Sequence, residues 1–198
     1  NELYSTDLFA DPTEDSYFNS SLEMLGLKHF IRAGEKSYFN TVIGMTYADS
    51  DYKEDSLNVN DIAARTVENS TTRTNYSVNT SFNSKINARL FIKVGVLAEI
   101  MNTKLFYRTR EFTPDWIQVW DNNDYTALIQ GYAHAKYSFT EKLTLNAGLH
   151  SQYFALNNSN SIEPRVALKY QLNDRHNFSG GYGMHSQMQP IDLYFYRS

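Results

Sequence analysis

Between Arg89 and Ile100 the charged residues are confined to every second position. The even positions are apolar throughout, whereas the charged residues Arg89, Lys93 and Glu99 all occupy odd positions. A β-strand places successive side chains on opposite faces, so this segment predicts one apolar face and one mostly polar face. The apolar row covers about eleven residues, which at ~3.3 Å per residue and a ~45° tilt gives roughly 25 Å of height. That height matches a bilayer's hydrocarbon core and indicates a membrane-crossing strand.

The same period-two pattern recurs along the chain and predicts an all-β fold. The antiparallel, up-and-down strands would be transmembrane β-barrel strands, and we interpret them as part of a larger barrel. Eight strands are predicted, at residues 22–32, 37–48, 72–83, 86–107, 124–139, 143–155, 162–172 and 177–188.

The predicted connections alternate between short and long. Tight polar turns are expected near residues 33–36, 83–85, 140–142 and 173–176, and long outer loops at 49–71 and 109–124. Helical periodicity is weak throughout; within the first of these loops, residues 62–67 could form a short turn of helix with Asp61 as its N-cap. Short periplasmic turns and longer extracellular loops are typical of outer-membrane barrels. We therefore interpret residues 1–198 as a single β-barrel segment located in the bacterial outer membrane.

The composition agrees with a barrel and excludes several other classes. Aromatic residues make up 15%, with 15 Tyr and 12 Phe, and Tyr suits the membrane–water boundary. The net charge is −4 without a basic stripe, which argues against nucleic-acid binding, and there is no Cys. Aromatic residues near the predicted short turns would form an interfacial girdle: Phe39, Phe82, Tyr137, Phe139, Tyr170 and Phe178.

No residue pattern indicates enzymatic chemistry or a cofactor. The acidic residues Asp49, Asp51, Glu54 and Asp55 have no EF-hand spacing, and a solvated loop explains them better than a metal site. The histidines lack metal-binding spacing, and Gly183-Met184-His185-Ser186 is not a nucleophile elbow. We therefore expect no enzyme activity, no metal and no cofactor.

Two segments resemble barrel hairpins of TonB-dependent receptors of the Bacteroidetes type. The longer one reads SIEPRVALKYQLNDRH at residues 161–176 and FSGGYGMHSQMQP at 178–190; the other reads GEKSYFNTVIG at 34–44. The similarity runs from about Tyr17 to Phe195. It implies a 22-stranded barrel with an N-terminal plug, which imports a bulky nutrient such as a siderophore or glycan with energy relayed by TonB. The sequence shows no plug and no TonB-contacting box, so we interpret the chain as an internal barrel segment.

The expected partners are outer-membrane lipid, the plug domain, the TonB system and an unidentified small-molecule or oligomeric nutrient. In the predicted outer loop, Trp116 and Trp120 would either contact ligand or close the loop over the wall. Seven residues on the polar face are candidate contacts to solute or plug: Lys93, Glu99, His134, His150, Arg165, Lys169 and His185.

Two other functions fit the alternation. One is a self-contained eight-stranded outer-membrane barrel with a structural or adhesion role, which requires strand 22–32 to pair with strand 177–188. The other is a soluble β-barrel ligand binder, whose apolar rows would pack inward around a cavity.

Overall fold

The computed structural model describes residues 2–3, 14–57 and 63–194, and these residues are almost entirely β-strand. A single 3-10 turn at Ile191–Tyr194 follows the last strand. No helix in the described part of the chain is long and apolar enough to cross a membrane. The strands are β1 Glu2–Leu3, β2 Glu14–Arg32, β3 Ser37–Leu57, β4 Ala63–Lys85, β5 Leu90–Thr109, β6 Ile117–Ser138, β7 Leu143–Phe154, β8 Ser159–Gln171 and β9 Asn177–Gly183.

The nine strands form one sheet in which every strand lies beside its neighbours in the chain. This order and the antiparallel pairing confirm the predicted up-and-down topology. Within the described residues β2 neighbours β1 and β3, and β9 neighbours β8. The pairing between β2 and β9 that a self-contained eight-stranded barrel requires is therefore not formed among them.

The two faces of the sheet differ as the alternation predicts. In β5 the side chains of Val94, Val96 and Ile100 are 41%, 47% and 54% exposed, whereas Lys93 and Glu99 on the opposite face are partly buried. Strand β8 shows the same arrangement, with Leu168 exposed and Glu163 only 3% exposed. We call these the apolar face and the polar face. The apolar rows are exposed rather than packed inward, which is contrary to the soluble-binder hypothesis.

The chain divides into two compact units that carry opposite charge. Unit 1 comprises residues 1–25, 45–75 and 101–125, and unit 2 comprises residues 26–44, 76–100 and 126–198. By sequence, unit 1 holds sixteen acidic and six basic residues, whereas unit 2 holds six acidic and twelve basic residues. Strands β2 to β6 contribute to both units, and β7 to β9 belong to unit 2.

The two long loops were predicted wrongly, because strands continue through most of them. Strand β3 extends to Leu57, β4 begins at Ala63 and β6 begins at Ile117. Polar cross-strand pairs hold these extensions; for example, Thr72 Oγ1 donates a hydrogen bond to Asp49 Oδ1 at 2.8 Å. Neither face of these extensions needs a continuous apolar row. The period-two hydrophobic pattern therefore does not reveal that they are strands.

Other element boundaries also differ from the prediction. Residues 63–67 are strand rather than helix, while Asp61 and Ile62 lie outside the described residues. Strand β2 begins at Glu14 instead of residue 22, and β9 ends at Gly183 instead of residue 188. The turn expected at 83–85 lies at 86–89, because Asn87 Oδ1 accepts hydrogen bonds from the backbone N–H groups of Arg89 (2.8 Å) and Leu90 (2.9 Å).

Aromatic side chains cluster beside the short turns of unit 2. The rings of Phe39 and Phe82 lie 4.9 Å apart between centroids, and those of Tyr137 and Phe139 lie 4.8 Å apart. Tyr170 pairs with Phe178 across β8 and β9. An interfacial girdle at this end of the strands stays a prediction, since aromatic rings favour the membrane boundary.

Gly95 lies directly beneath the ring of Tyr132 on the polar face. A Cβ atom at this position would lie 2.5 Å from the Tyr132 hydroxyl oxygen and 2.8 Å from the Thr80 carbonyl oxygen. We expect Gly95→Ala to displace the ring and to lower stability by about 1–3 kcal/mol, the usual effect of overpacking. The matched control is Gly131→Ala, because a Cβ at Gly131 meets no atom within 4 Å. The temperature at which the heat-modifiable folded band disappears on gels measures the stability of both variants. An equal decrease of this temperature in Gly95→Ala and Gly131→Ala would contradict the packing argument.

Candidate functional site

Among the described residues of unit 2, the most enclosed charged side chain is that of Glu163, which lies on the polar face of β8 and is 3% exposed. The strand register places it directly opposite His150 of β7. One carboxylate oxygen, Oε2, lies 2.7 Å from Arg165 Nη2 and 3.3 Å from His150 Nδ1. A carboxylate can be buried in this way because charged and polar donors replace the water that it loses.

The other carboxylate oxygen of Glu163, Oε1, holds the chain that follows β9. It accepts a hydrogen bond from the backbone N–H of Ser186 at 3.1 Å, and the Ser186 hydroxyl donates to it as well. The hydroxyl of Ser161 also donates to Oε1 at 3.1 Å. Gln152 Nε2 donates to Ser186 Oγ at 2.9 Å, which connects the same point to β7. The network therefore joins β7, β8 and residue 186.

A second contact holds this part of the chain farther along. The ring of Tyr194 lies 5.2 Å from that of Phe154, which is 1% exposed and ends β7. One residue after β9 ends, Met184 N still donates a hydrogen bond to Pro164 O of β8 at 3.0 Å. Residues 184–194, which we call the return segment, thus leave the edge of the sheet and fold back against β7 and β8.

The contacts explain the motif residues noted in the sequence. Glu163 and Arg165 of the E-P-R segment and Ser186 of the H-S-Q segment meet in one network. Gly183 belongs to the same arrangement, since a Cβ there would lie 3.1 Å from Arg165 Cγ. Sequence reasoning identified Arg165 and His150 but missed Glu163 and Ser186. The signal was present in the two motifs, but their contact depends on the strand register.

This network does not have the geometry of a hydrolase. A serine nucleophile needs a histidine between it and the orienting carboxylate. Here Glu163 stands between Ser186 and His150, because both side chains contact its carboxylate. The hydroxyl of Ser186 therefore donates to a carboxylate and not to a histidine in this network.

The structure brings together several of the predicted polar-face residues. His134, His150, Arg165 and His185 line one open groove along β6 to β9. His150 Nε2 also lies 3.0 Å from Gln130 Oε1. Lys93 Nζ lies 5.4 Å from the ring centroid of Tyr132. Glu99 and Lys169, the remaining two predicted residues, occupy polar-face positions of β5 and β8 but do not line this groove.

The two predicted loop tryptophans have different surroundings in unit 1. Trp116 lies in the connection before β6, beneath the guanidinium carbons of Arg108 (4.3 Å) and Arg110 (5.0 Å). Trp120 is in strand β6 rather than in a loop, and its ring lies 5.4 Å from that of Tyr107. Each indole already packs within unit 1, which favours the interpretation that they support the wall.

The acidic residues of β3 are largely paired within unit 1. Asp51 pairs with Lys53 at 2.5 Å, and Asp55 pairs with Arg65. The hydroxyl of Tyr52 donates to Glu54 at 2.7 Å; this hydrogen bond, followed by burial, raises the pKa of Tyr52 to about 12. The hydrogen bond to Asp55 raises the pKa of Arg65. In the described part of the chain, no group of three or more His, Cys, Asp or Glu residues could hold a metal ion.

An antiparallel sheet with one exposed apolar face and one polar face of charged networks defines the wall of an outer-membrane β-barrel. Comparison with known families gives the same result. The chain matches the family described as TonB dependent receptor-like, beta-barrel, over residues 1–197. It therefore belongs to the TonB-dependent receptor β-barrel family, whose members are receptors and transporters of the bacterial outer membrane. A search of curated proteins found no match.

Proposed function

We propose that this chain forms wall strands of a receptor that imports a bulky nutrient, such as a siderophore or glycan, across the outer membrane. The observation that carries the proposal is the sorting of the two faces over long strands, as in β5, where Val94 and Ile100 are exposed and Lys93 lies opposite. In a barrel the apolar face contacts lipid and the polar face lines the water-filled interior. The plug and TonB are the partners that family membership supports, and the quoted motifs support a Bacteroidetes-type receptor.

Among the residues that the structure describes, the sheet has two open edges, which support a wall larger than eight strands. Strand β2 is exposed along residues 22–32, and β9 is exposed over most of its length. An unpaired strand edge cannot face lipid, since its backbone N–H and C=O groups would lose water without replacement. We therefore propose that both edges pair with further strands in the assembled barrel.

The polar face of β6 to β9 is the part of the wall that we assign to the solute path. His134, His150 and His185 border its groove, and His185 belongs to the return segment. These side chains offer hydrogen bonds without excess acidic charge, because Glu163 is already paired with Arg165. Such a surface suits a polar, hydroxyl- or carboxylate-bearing solute.

Depletion of nutrients from the medium tests the import proposal for a solute whose identity is open. Strains with and without the full-length gene, each with intact or deleted TonB, would be incubated with a mixture of ferric chelates and oligosaccharides. We expect at least one component to disappear from the medium only when both the gene and TonB are present. Equal depletion in the TonB-deleted strain that carries the gene would contradict energised import. Detection of the protein in outer-membrane fractions controls for expression.

A further inference from the structure

Three basic side chains surround a small depression at the short-turn end of unit 2. Lys85 ends β4, Arg89 precedes β5 and Lys136 lies near the end of β6. The depression has a volume of about 180 Å³, and Asn87 and Ser138 also line it. Among the described residues that line it, none is acidic. We call this feature the basic depression.

Backbone hydrogen bonds hold the elements that carry these side chains. Lys85 N donates to Lys36 O at 2.9 Å, and Ser138 N donates to Arg89 O at 2.8 Å. The side chain of Asn87 closes the β4–β5 turn by accepting from two backbone N–H groups at 2.8 and 2.9 Å. The three cations are therefore attached to the ends of two hydrogen-bonded strands and to a tight turn of fixed geometry.

The charges of the depression are not neutralised by the ion pairs of the described residues. None of those ion pairs includes Lys85, Arg89 or Lys136. The neighbouring short turns each contain an acidic residue, Glu35 or Glu141, and a lysine directly follows each of them. Three like charges around one small space repel each other. A bound anion would offset this Coulomb repulsion, because it attracts all three charges.

We propose that the basic depression is a binding site for an oxyanion, namely a phosphate or carboxylate group of a small molecule. The arginine fork can donate two parallel hydrogen bonds to such a group, and the two lysines supply compact positive charge. The Oδ1 of Asn87 is occupied by backbone donors, which leaves its Nδ2 as a further donor, and Ser138 adds a hydroxyl. A neutral ligand would form only weaker hydrogen bonds with this set, and a cationic ligand would be repelled.

The inference adds a ligand class to the proposed function and rests on it only for the source of the ligand. In an outer-membrane barrel the short turns face the periplasm. The depression would then hold the anionic group of a solute near the inner end of its path. Binding itself is measured on the purified protein, so its failure is distinguishable from a failure of TonB-dependent uptake.

The test uses the purified full-length protein in neutral detergent and inorganic phosphate as the probe. Saturable broadening of the phosphorus-31 resonance would measure phosphate binding, and citrate would compete as a carboxylate probe. We expect the Lys85→Gln, Arg89→Gln, Lys136→Gln triple variant to bind phosphate at least about tenfold more weakly, because charge-assisted hydrogen bonds are lost. The matched control is the triple variant Lys36→Gln, Lys142→Gln, Arg175→Gln, which removes three turn charges outside the depression and should bind as wild type does.

Several results would overturn the proposal. Equal phosphate affinity in the wild type and the site variant would show that the depression does not bind the anion. An equal loss of phosphate affinity in the control variant would show that phosphate responds only to the overall positive charge of the protein. Binding of polyglutamate by the wild type without binding of phosphate or citrate would assign the surface to an acidic polypeptide instead. If the triple variant does not fold, as judged by heat modifiability, the single turn variant Arg89→Gln replaces it and should weaken binding severalfold.

Discussion

Replacing Val94 with arginine is expected to block assembly of the protein into the outer membrane. Val94 lies in the middle of the apolar row of β5 and is 41% exposed. Its neighbours in that row are apolar. An arginine on the lipid face at mid-depth costs about 2–4 kcal/mol, a large fraction of the net stability of a folded domain. Leu168→Arg on β8 should act in the same way, since Leu168 is 46% exposed on the same face. The measurement is the amount of folded, heat-modifiable protein in outer-membrane fractions.

The neighbouring polar-face positions provide the matched controls. Lys93→Ala and Lys169→Ala remove side chains that lie one residue away on the opposite face of β5 and β8. Because that face contacts water in the barrel, the two variants should reach the membrane in wild-type amounts. If arginine at Val94 or Leu168 were tolerated as well as alanine at Lys93 and Lys169, the assignment of the two faces would be wrong.

The sequence predicted those parts of the fold in which one strand face contacts lipid. In β5 and β8 an apolar row had to be separated from charged residues, and in β7 a similar row was separated from mostly polar ones, so the period-two pattern revealed each strand and its orientation. The extensions of β3, β4 and β6 in unit 1 lacked such a row. They were mistaken for loops, because their few apolar residues form no continuous row. Cross-strand ion pairs hold them instead, such as Arg108 Nη2 with Glu68 Oε2 at 2.6 Å.

The sequence predicted individual residues of the candidate site, but not the network of contacts that joins them. The polar face identified His150 and Arg165, since their position follows from strand parity alone. The centre of the network, Glu163, has the same parity but was not selected. Its importance comes from Ser186, which lies 23 residues away in sequence and contacts it only because the chain folds back after β9. Alternation predicts which face a residue occupies, whereas strand register and chain reversal determine its partners.

Glu163→Ala should release the return segment and destabilise the barrel wall. The change removes the acceptor for the Ser186 backbone N–H and for Arg165, and it leaves those donors without their partner. Lost charge-assisted hydrogen bonds and an unsatisfied donor together cost roughly 2–4 kcal/mol. The temperature at which the folded band is lost should therefore decrease, with a smaller effect for Ser186→Ala because its backbone N–H is retained.

Mobility of the return segment separates this role from general stability. The chain contains no Cys, so Gln189→Cys offers a single site in these residues for a nitroxide spin label. At a temperature where both proteins are folded, the label should be more mobile in the Glu163→Ala background than in wild type. Lys169→Ala, on the polar face of the same strand but outside the network, should leave the label unchanged. An immobile label in the Glu163→Ala protein would mean that the contact between Tyr194 and Phe154 alone holds the segment, and Glu163 would then stabilise only the pairing of β7 with β8.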